Sequence, residues 1–423
     1  MTSQVYWYTT KEISYLPKLN RHEKAEVVIV GGGMVGLSAA QRIINEGHSV
    51  ILIEKDFCGS GASGKTSGFI TPDSEIELSA LESNYGVLKA KKIWEFVLSG
   101  VEIIRRNILN YKIDCDFEIQ DSLYIANSKL SLKYPSHEHD VRQKLGFKST
   151  LHDPASIKNV IGSRGFSGGV QYPNTFGINS FLYCQSLKNI LVDQGVRVYE
   201  KTSALEIKEG NVKTEFGSIS ADFIIVCTDR FIPELLSVKK EIYHVQTFLG
   251  ISKPLADIEV NKIFPKNKMM VWDTNLVYNY FRLTGENRLL IGGGDLFYTY
   301  KHKIAENTER FKRRLTKYIK NKFPYITIDL EYVWPGMLGV SKDLLPIMGF
   351  DRSSNKIWLT GAATGLPWAA TLGYYAAEKF LSGRNEFDDI FSWERKFLIS
   401  NRLQTILTTP PTYAISHGIT EYF

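Results

Sequence analysis

EVVIVGGGMVGLSAAQRIINEGHSVILIE, residues 26–54, decides how this chain folds. EVVIV (26–30) is an apolar, β-branched run that stops at glycine, the pattern of a buried strand. Residues 34–46 predict a helix, and SVILIE (49–54) predicts a second buried strand. Together they make a βαβ unit. Gly31, Gly33 and Gly36 form GxGxxG between the first strand and the helix. Gly31 permits the tight turn, Gly33 lets a pyrophosphate approach the backbone, and Gly36 lets helix and strand pack closely. The helix start offers free N–H groups and a positive dipole end. Met34 and Val35 therefore join the glycines as expected phosphate contacts. Glu54 ends the second strand, where an acidic residue accepts hydrogen bonds from ribose hydroxyls.

The following segment, KDFCGSGASGKTSGFI (55–70), narrows the nucleotide. A nicotinamide dehydrogenase needs no second Gly/Ser-rich loop here. A flavoprotein uses one to wrap the pyrophosphate and reach the isoalloxazine. Lys55, Gly61, Ala62, Ser63, Lys65, Thr66, Ser67 and Gly68 supply hydroxyls, cations and close backbone approach. The expected cofactor is FAD.

The rest of the chain sets limits. With 423 residues it exceeds one ordinary core. The net charge of +6 is spread in short clusters, not in basic runs with aromatics between them, so a nucleic-acid partner is not expected. Cys58, Cys115, Cys184 and Cys227 form no CxxC pair, so no metal site is expected, and four scattered thiols suit a reducing compartment. The N-terminus has no signal-peptide pattern, and no stretch approaches the length of a membrane span. The expected location is cytoplasmic.

Helices are expected near 76–110, 179–194, 304–321 and 368–382. Asn179 or Ser180 is the expected N-cap of the second. Strands are expected at 196–201, 203–210, 211–217 and 222–227, then at 241–252, 269–273, 276–284 and 288–292, after which the chain runs through EYVWPGMLG (331–339) and KIWLTG (356–361). The predicted fold class is α/β. A Rossmann-type nucleotide lobe comprises 1–75, 150–235 and 350–385. An inserted antiparallel or mixed β-sheet substrate lobe comprises 76–149 and 236–349. A tail, 386–423, closes the chain. Its apolar residues from Phe397 to Leu407 predict a helix that packs on the body, a partner subunit or a membrane surface.

GGGMVGLSAAQRIINEGHSVILIEKDFCGSGASGKTSGFI (31–70) resembles the N-terminus of the D-amino-acid-oxidase-like FAD-dependent oxidoreductases. Further likenesses span nearly the whole chain. VYW (5–7) and NYFRLTGENRLLIGGG (279–294) resemble the gamma-glutamylputrescine branch. VRVYEKTSALEI (196–207), ADFIIVCTD (221–229), WPGMLGVSKDLLPIMG (334–349) and IWLTGAATGLPWAATLGYYAAEKF (357–380) resemble further parts of the family. The resemblance implies oxidation of a C–N bond of an amine or amino-acid-like substrate, with hydride passing to the flavin. Oxygen or an electron-transfer partner would be the final acceptor. It places the adenine near Ala204 and the dinucleotide near Thr228. It also places the flavin against Gly361, Thr364, Gly365 and Leu366, whose spacing departs from the family's GxxGxG at Pro367. Thr66, Ser67 and Ala362–Gly365 include no Cys or His for covalent attachment, so FAD is expected to be non-covalent. Two alternatives stay open: a flavin-binding protein with little turnover that acts through a partner, and a glycine- or sarcosine-type enzyme.

Arg282, Tyr280 and Tyr278 share one strand face and are the expected substrate wall, with Arg282 gripping a distant acidic group. His244 and Gln246 are weaker pocket candidates. In glycine-oxidase-like relatives an arginine in the WPGMLGVSKD segment grips the α-carboxylate. Alignment on Gly336, Asp343, Pro346 and Gly349 puts Leu338 there, so simple α-amino acids are expected to be poor substrates.

Overall fold

The computed structural model describes residues 4–73, 75–236, 238, 242–294, 308–397, 411, 412 and 415. The predicted helix in the tail falls almost wholly outside them. Among the described residues, no helix is long and apolar enough to cross a membrane.

The βαβ unit forms as read. The strands His22–Val30 and Val50–Ile53 pair in parallel around the helix Met34–Ile44. Val27, Val28 and Ile29 are fully buried, which is why this run is apolar on both faces. The sheet runs in the order 204–208, 211–214, 218–226, 22–30, 50–53, 197–199. Ser354–Gly361 adds in parallel to the far end of Ser218–Val226 and carries Ile347–Asp351 with it. The small meander 204–226 thus returns to the parallel sheet, as expected.

A second eight-stranded sheet runs 330–340, 243–254, 288–293, 279–283, 269–273, 121–125, 169–172, 150–152. Only the 269–273 and 121–125 strands pair in parallel. The helix Thr308–Lys322 lays Phe311, Leu315 and Ile319 on this sheet and leaves Arg310, Arg313, Lys317 and Lys320 exposed on the opposite side.

Two lobe boundaries differ from expectation. Residues 150–172, expected in the nucleotide lobe, supply two strands of the second sheet. Conversely, the predicted 76–110 helix packs in the nucleotide core and not in the substrate lobe. It forms as two helices, Leu78–Tyr85 and Val87–Tyr111, parted at Gly86, whose φ of 77° ends the first. Gly100 of the second lies against Pro367, where a Cβ would stand 2.0 Å from the Pro367 carbonyl oxygen. Sequence could not supply this, because an apolar helical stripe does not say which sheet it covers.

Candidate flavin and substrate site

The phosphate turn is built by exclusion. A Cβ on Gly36 would stand 1.9 Å from the Gly31 carbonyl oxygen, and Gly31 itself has φ 116°. Only glycine permits both. Gly33 caps the helix without a side chain. The Met34 N–H donates to the Ser63 hydroxyl at 2.9 Å. Ser63 thus stands at the helix start, where an anion would meet the exposed N–H groups. The Met34 and Val35 side chains are buried in the core, so only their backbone faces the turn.

Glu54 accepts from the Gly32 N–H at 2.8 Å and the Asp56 N–H at 3.0 Å. Burial pushes its carboxyl pKa up, and those two N–H groups act the other way. Lys55 sits with its ammonium 3.3 Å from the Phe231 ring centroid. Burial, with Arg230 nearby, lowers its pKa. Ala204 is half-buried at the sheet edge, paired with Thr214. Thr228 carries a buried hydroxyl with no hydrogen-bond partner among the described residues. A helix start without a side-chain cap, an acid at the second strand and an orphaned hydroxyl at the strand end fit a dinucleotide.

The second loop runs through Gly61 and the short turn Ala62–Gly64 to Gly68. Gly68 has φ 71°, and a Cβ there would stand 1.9 Å from the Ile178 carbonyl oxygen. Ala62, Ser63, Lys65, Thr66 and Ser67 line one wall of a cavity of about 210 Å³. Burial lowers the Lys65 pKa, and the Arg230 and Lys55 cations push it the same way. The C-terminal turn forms another wall. Gly361 ends its strand, Thr364 turns inward with its hydroxyl 3.4 Å from the Leu344 carbonyl, and Gly365 and Leu366 line the cavity. The helix Leu366–Leu381 therefore presents its N-terminus, and its positive dipole end, to the cavity. Trp368 lies in the core against Phe96 and Phe391.

The substrate wall needs correction at one residue. Tyr278 and Tyr280 line the cavity. The Tyr278 hydroxyl donates to Glu75 at 3.1 Å, and burial pushes the Tyr280 phenol up to about 12. Arg282 does not line it. This arginine is fully buried and donates to three carbonyls: Ser67 at 2.8 Å, Ile178 at 2.6 Å and Leu283 at 3.1 Å. Three of its five N–H groups, one on each nitrogen, go to backbone, and its full burial away from the cavity keeps it from a substrate acid there. Burial pulls its pKa down to about 10. Strand alternation was read correctly, but a long side chain at the same face reaches under the loop.

The weaker candidates are also corrected. On the strand Tyr243–Pro254, Val245, Thr247 and Leu249 face the cavity, so His244 and Gln246 point to the other face. Leu338 lines the cavity with Val245, Met337 and Val340. Two acids that sequence reasoning missed, Asp73 and Glu75, stand on the wall with Trp272. No local signal marks them, because they follow the glycine-rich loop in an ordinary polar stretch. Asp73, Glu77 and Glu138 converge to within 4.8 Å of one another. Arg142 already bonds Asp73 at 2.8 Å and Glu138 at 2.6 Å, so their charge is met by a guanidinium.

A family model described as FAD dependent oxidoreductase matches residues 26–379. The chain is 26% identical to a probable oxidoreductase, OrdL, of Haemophilus influenzae, over 87% of this chain and 88% of the relative. It is 25% identical to the gamma-glutamylputrescine oxidoreductase of Escherichia coli, over 92% of this chain and 91% of that one. Among solved structures, an L-proline dehydrogenase of P. horikoshii superimposes with a TM-score of 0.75 at 19% identity, over 90% of this chain and 98% of that one. A glycine oxidase of Geobacillus kaustophilus gives 0.73 at 16%, over 89% and 100%. These two likenesses speak for the fold.

Proposed function

This chain belongs to the FAD dependent oxidoreductase family, and from that premise we propose that it oxidises the C–N bond of an amine whose reacting carbon bears no carboxylate. Bound FAD would supply the hydride acceptor, and the imine left from the substrate would be hydrolysed by water. The residues that would hold the cofactor are the phosphate turn 31–36, Glu54, the loop 61–68 and the turn 361–366. The observation that carries the reading is Leu338, set in the cavity wall among Val245, Met337 and Val340. A carboxylate buried against that wall would lose water and gain no partner, at a cost of several kcal/mol.

The opposite charge is favoured instead. Lys65 is the only Lys, Arg or His among the described lining residues, and its surroundings lower its pKa. Glu75 gives the wall a negative charge, while Asp73 beside it is already paired with Arg142. Trp272, Tyr278 and Tyr280 offer ring faces to an ammonium. The relative from Escherichia coli, named for gamma-glutamylputrescine, points to the same chemical class.

The test is anaerobic bleaching of the flavin band by primary and secondary amines, set against glycine, D-alanine and N-methylglycine. Peroxide and dye readouts then identify the final acceptor. Amines without an α-carboxylate should reduce the flavin faster. Glycine or D-alanine reducing it faster than any of them would overturn the reading. Acid precipitation should release FAD into the supernatant, because neither Cys nor His stands in the 61–68 loop or the 361–366 turn.

A further inference from the structure

Three consecutive carbonyls of the flavin loop are each held from outside the loop. The Trp334 indole Nε1–H donates to the Lys65 carbonyl at 3.1 Å. The Trp7 Nε1–H donates to the Thr66 carbonyl at 2.8 Å. The Arg282 Nε–H donates to the Ser67 carbonyl at 2.8 Å. All three donors are buried. They come from the N-terminal turn Tyr6–Thr9 and from two strands of the second sheet. The side chains of the same residues, Lys65, Thr66 and Ser67, line the cavity.

From this pattern we propose that Trp7, Trp334 and Arg282 are positioning residues for the flavin, and that the Tyr6–Thr9 turn is a strap that ties the flavin loop to the substrate sheet. The proposal rests on the reading that the 61–68 loop meets FAD. A peptide whose carbonyl is held outward has its orientation set, and so has the side chain it carries. Three in succession leave the loop one arrangement toward the cavity.

The rest of the strap makes the tie two-sided. On the substrate side, Tyr6 packs on Tyr332 with centroids 5.4 Å apart and donates to Glu286 at 3.2 Å. On the nucleotide side, Tyr8 packs on Phe57 and Phe181 and donates to the Ser60 carbonyl at 2.9 Å, a fourth carbonyl of the same loop region. Trp7 and Trp334 meet edge to face, with centroids 6.4 Å apart. Four polar side chains, of Trp7, Tyr8, Trp334 and Arg282, thus each place a donor on a carbonyl of one loop region, an arrangement that fixes that loop.

The test removes indole N–H groups while keeping an aromatic side chain at each position. Trp7→Phe and Trp334→Phe are compared, as FAD-loaded full-length proteins, with Trp358→Phe. Trp358 is equally buried, and its Nε1–H has no partner among the described residues, so its loss removes no tie. Three quantities are read: FAD dissociation constant, visible flavin spectrum and two-electron potential by dithionite titration against a reference dye. Trp7→Phe and Trp334→Phe should each weaken FAD binding by about tenfold and shift both the spectrum and the potential. Trp358→Phe should leave spectrum and potential at the wild-type values, whatever it does to melting temperature. If one strap variant fails to fold, the other carries the test. Unchanged spectrum and potential in the strap variants, or equal shifts in Trp358→Phe, would overturn the proposal. A wild-type chain that binds no FAD would overturn the underlying cofactor reading as well, and is seen before any variant is made.

Discussion

The carboxylate of Asp229 accepts from the backbone N–H of Ala362 at 3.1 Å. Both residues are left-handed, with φ of 52° and 53°. The other oxygen of Asp229 accepts from the Gly339 N–H at 2.7 Å. One side chain therefore joins the end of a strand of the first sheet, the turn 361–366 and the second-sheet strand Leu330–Val340.

Asp229→Ala should leave those two N–H groups without acceptors and destabilise the protein by about 2 kcal/mol. FAD affinity should fall with it, because the 361–366 turn loses its anchor. Asp229→Asn, which keeps one acceptor oxygen, should lose less on both counts. Chemical denaturation and FAD titration of the two variants check the order. An alanine variant as stable as wild type would show that the anchor is redundant.

Arg282→Ala should act through the fold. The buried Ser67 and Ile178 carbonyls lose their donor, and Leu283 keeps the Gln120 amide, which points to a loss of about 2–3 kcal/mol. Arg282→Lys should not restore it, since one ammonium cannot reproduce a fork that reaches Ser67, Ile178 and Leu283. Melting temperature and FAD retention should fall together. A stable Arg282→Ala protein that retained FAD and showed only a raised KM would return this arginine to the substrate.

Glu77 makes stability depend on pH. Its carboxyl pKa is pushed well above the ordinary 4.5, by burial first and then by the neighbouring Asp73 and Glu138 carboxylates. As pH rises above about 4.5, the unfolded chain releases this proton before the folded chain does. The folded state then binds more protons, so its stability declines through the window up to the raised value. Glu77→Gln can keep the acceptor that takes the Trp272 Nε1–H at 2.9 Å and removes the titration. Denaturation at pH 5 and pH 8 should show a smaller difference in the variant than in wild type. An equal difference would place the dependence elsewhere.

Leu338→Arg tests what the cavity wall selects. A guanidinium among Val245, Met337 and Val340 would give an α-carboxylate a partner. The ratio of kcat/KM for D-alanine to that for an amine lacking a carboxylate should rise about tenfold or more. The variant should also lose some stability, because Tyr243, Val340 and Leu344 form an apolar cluster beside it. An unchanged ratio in a folded, FAD-loaded variant would show that this wall does not choose the substrate.

Local order along the chain is enough to specify the nucleotide half of the site. EVVIV must be buried, Gly31 must turn, Gly36 must let the helix approach that turn, and Glu54 must follow the second strand, because each requirement acts within a few residues. The cap of the Ser180–Asp193 helix was legible for the same reason: the Asn179 side chain accepts from the N–H groups of Phe181 and Leu182, its near neighbours. Leu338 was placed in the cavity wall by resemblance, and the wall holds it. The partners of Arg282, the tie from Trp7 to Thr66, the bridge through Asp229 and the acids Asp73 and Glu75 were decided only by the tertiary structure. Each depends on where segments far apart in the chain are brought together. A sequence window records that an arginine lies on a strand face, but whether its fork meets substrate or backbone depends on what the fold lays over it. Here the 61–68 loop lies over it, and buried carbonyls, which must find donors, take the guanidinium first.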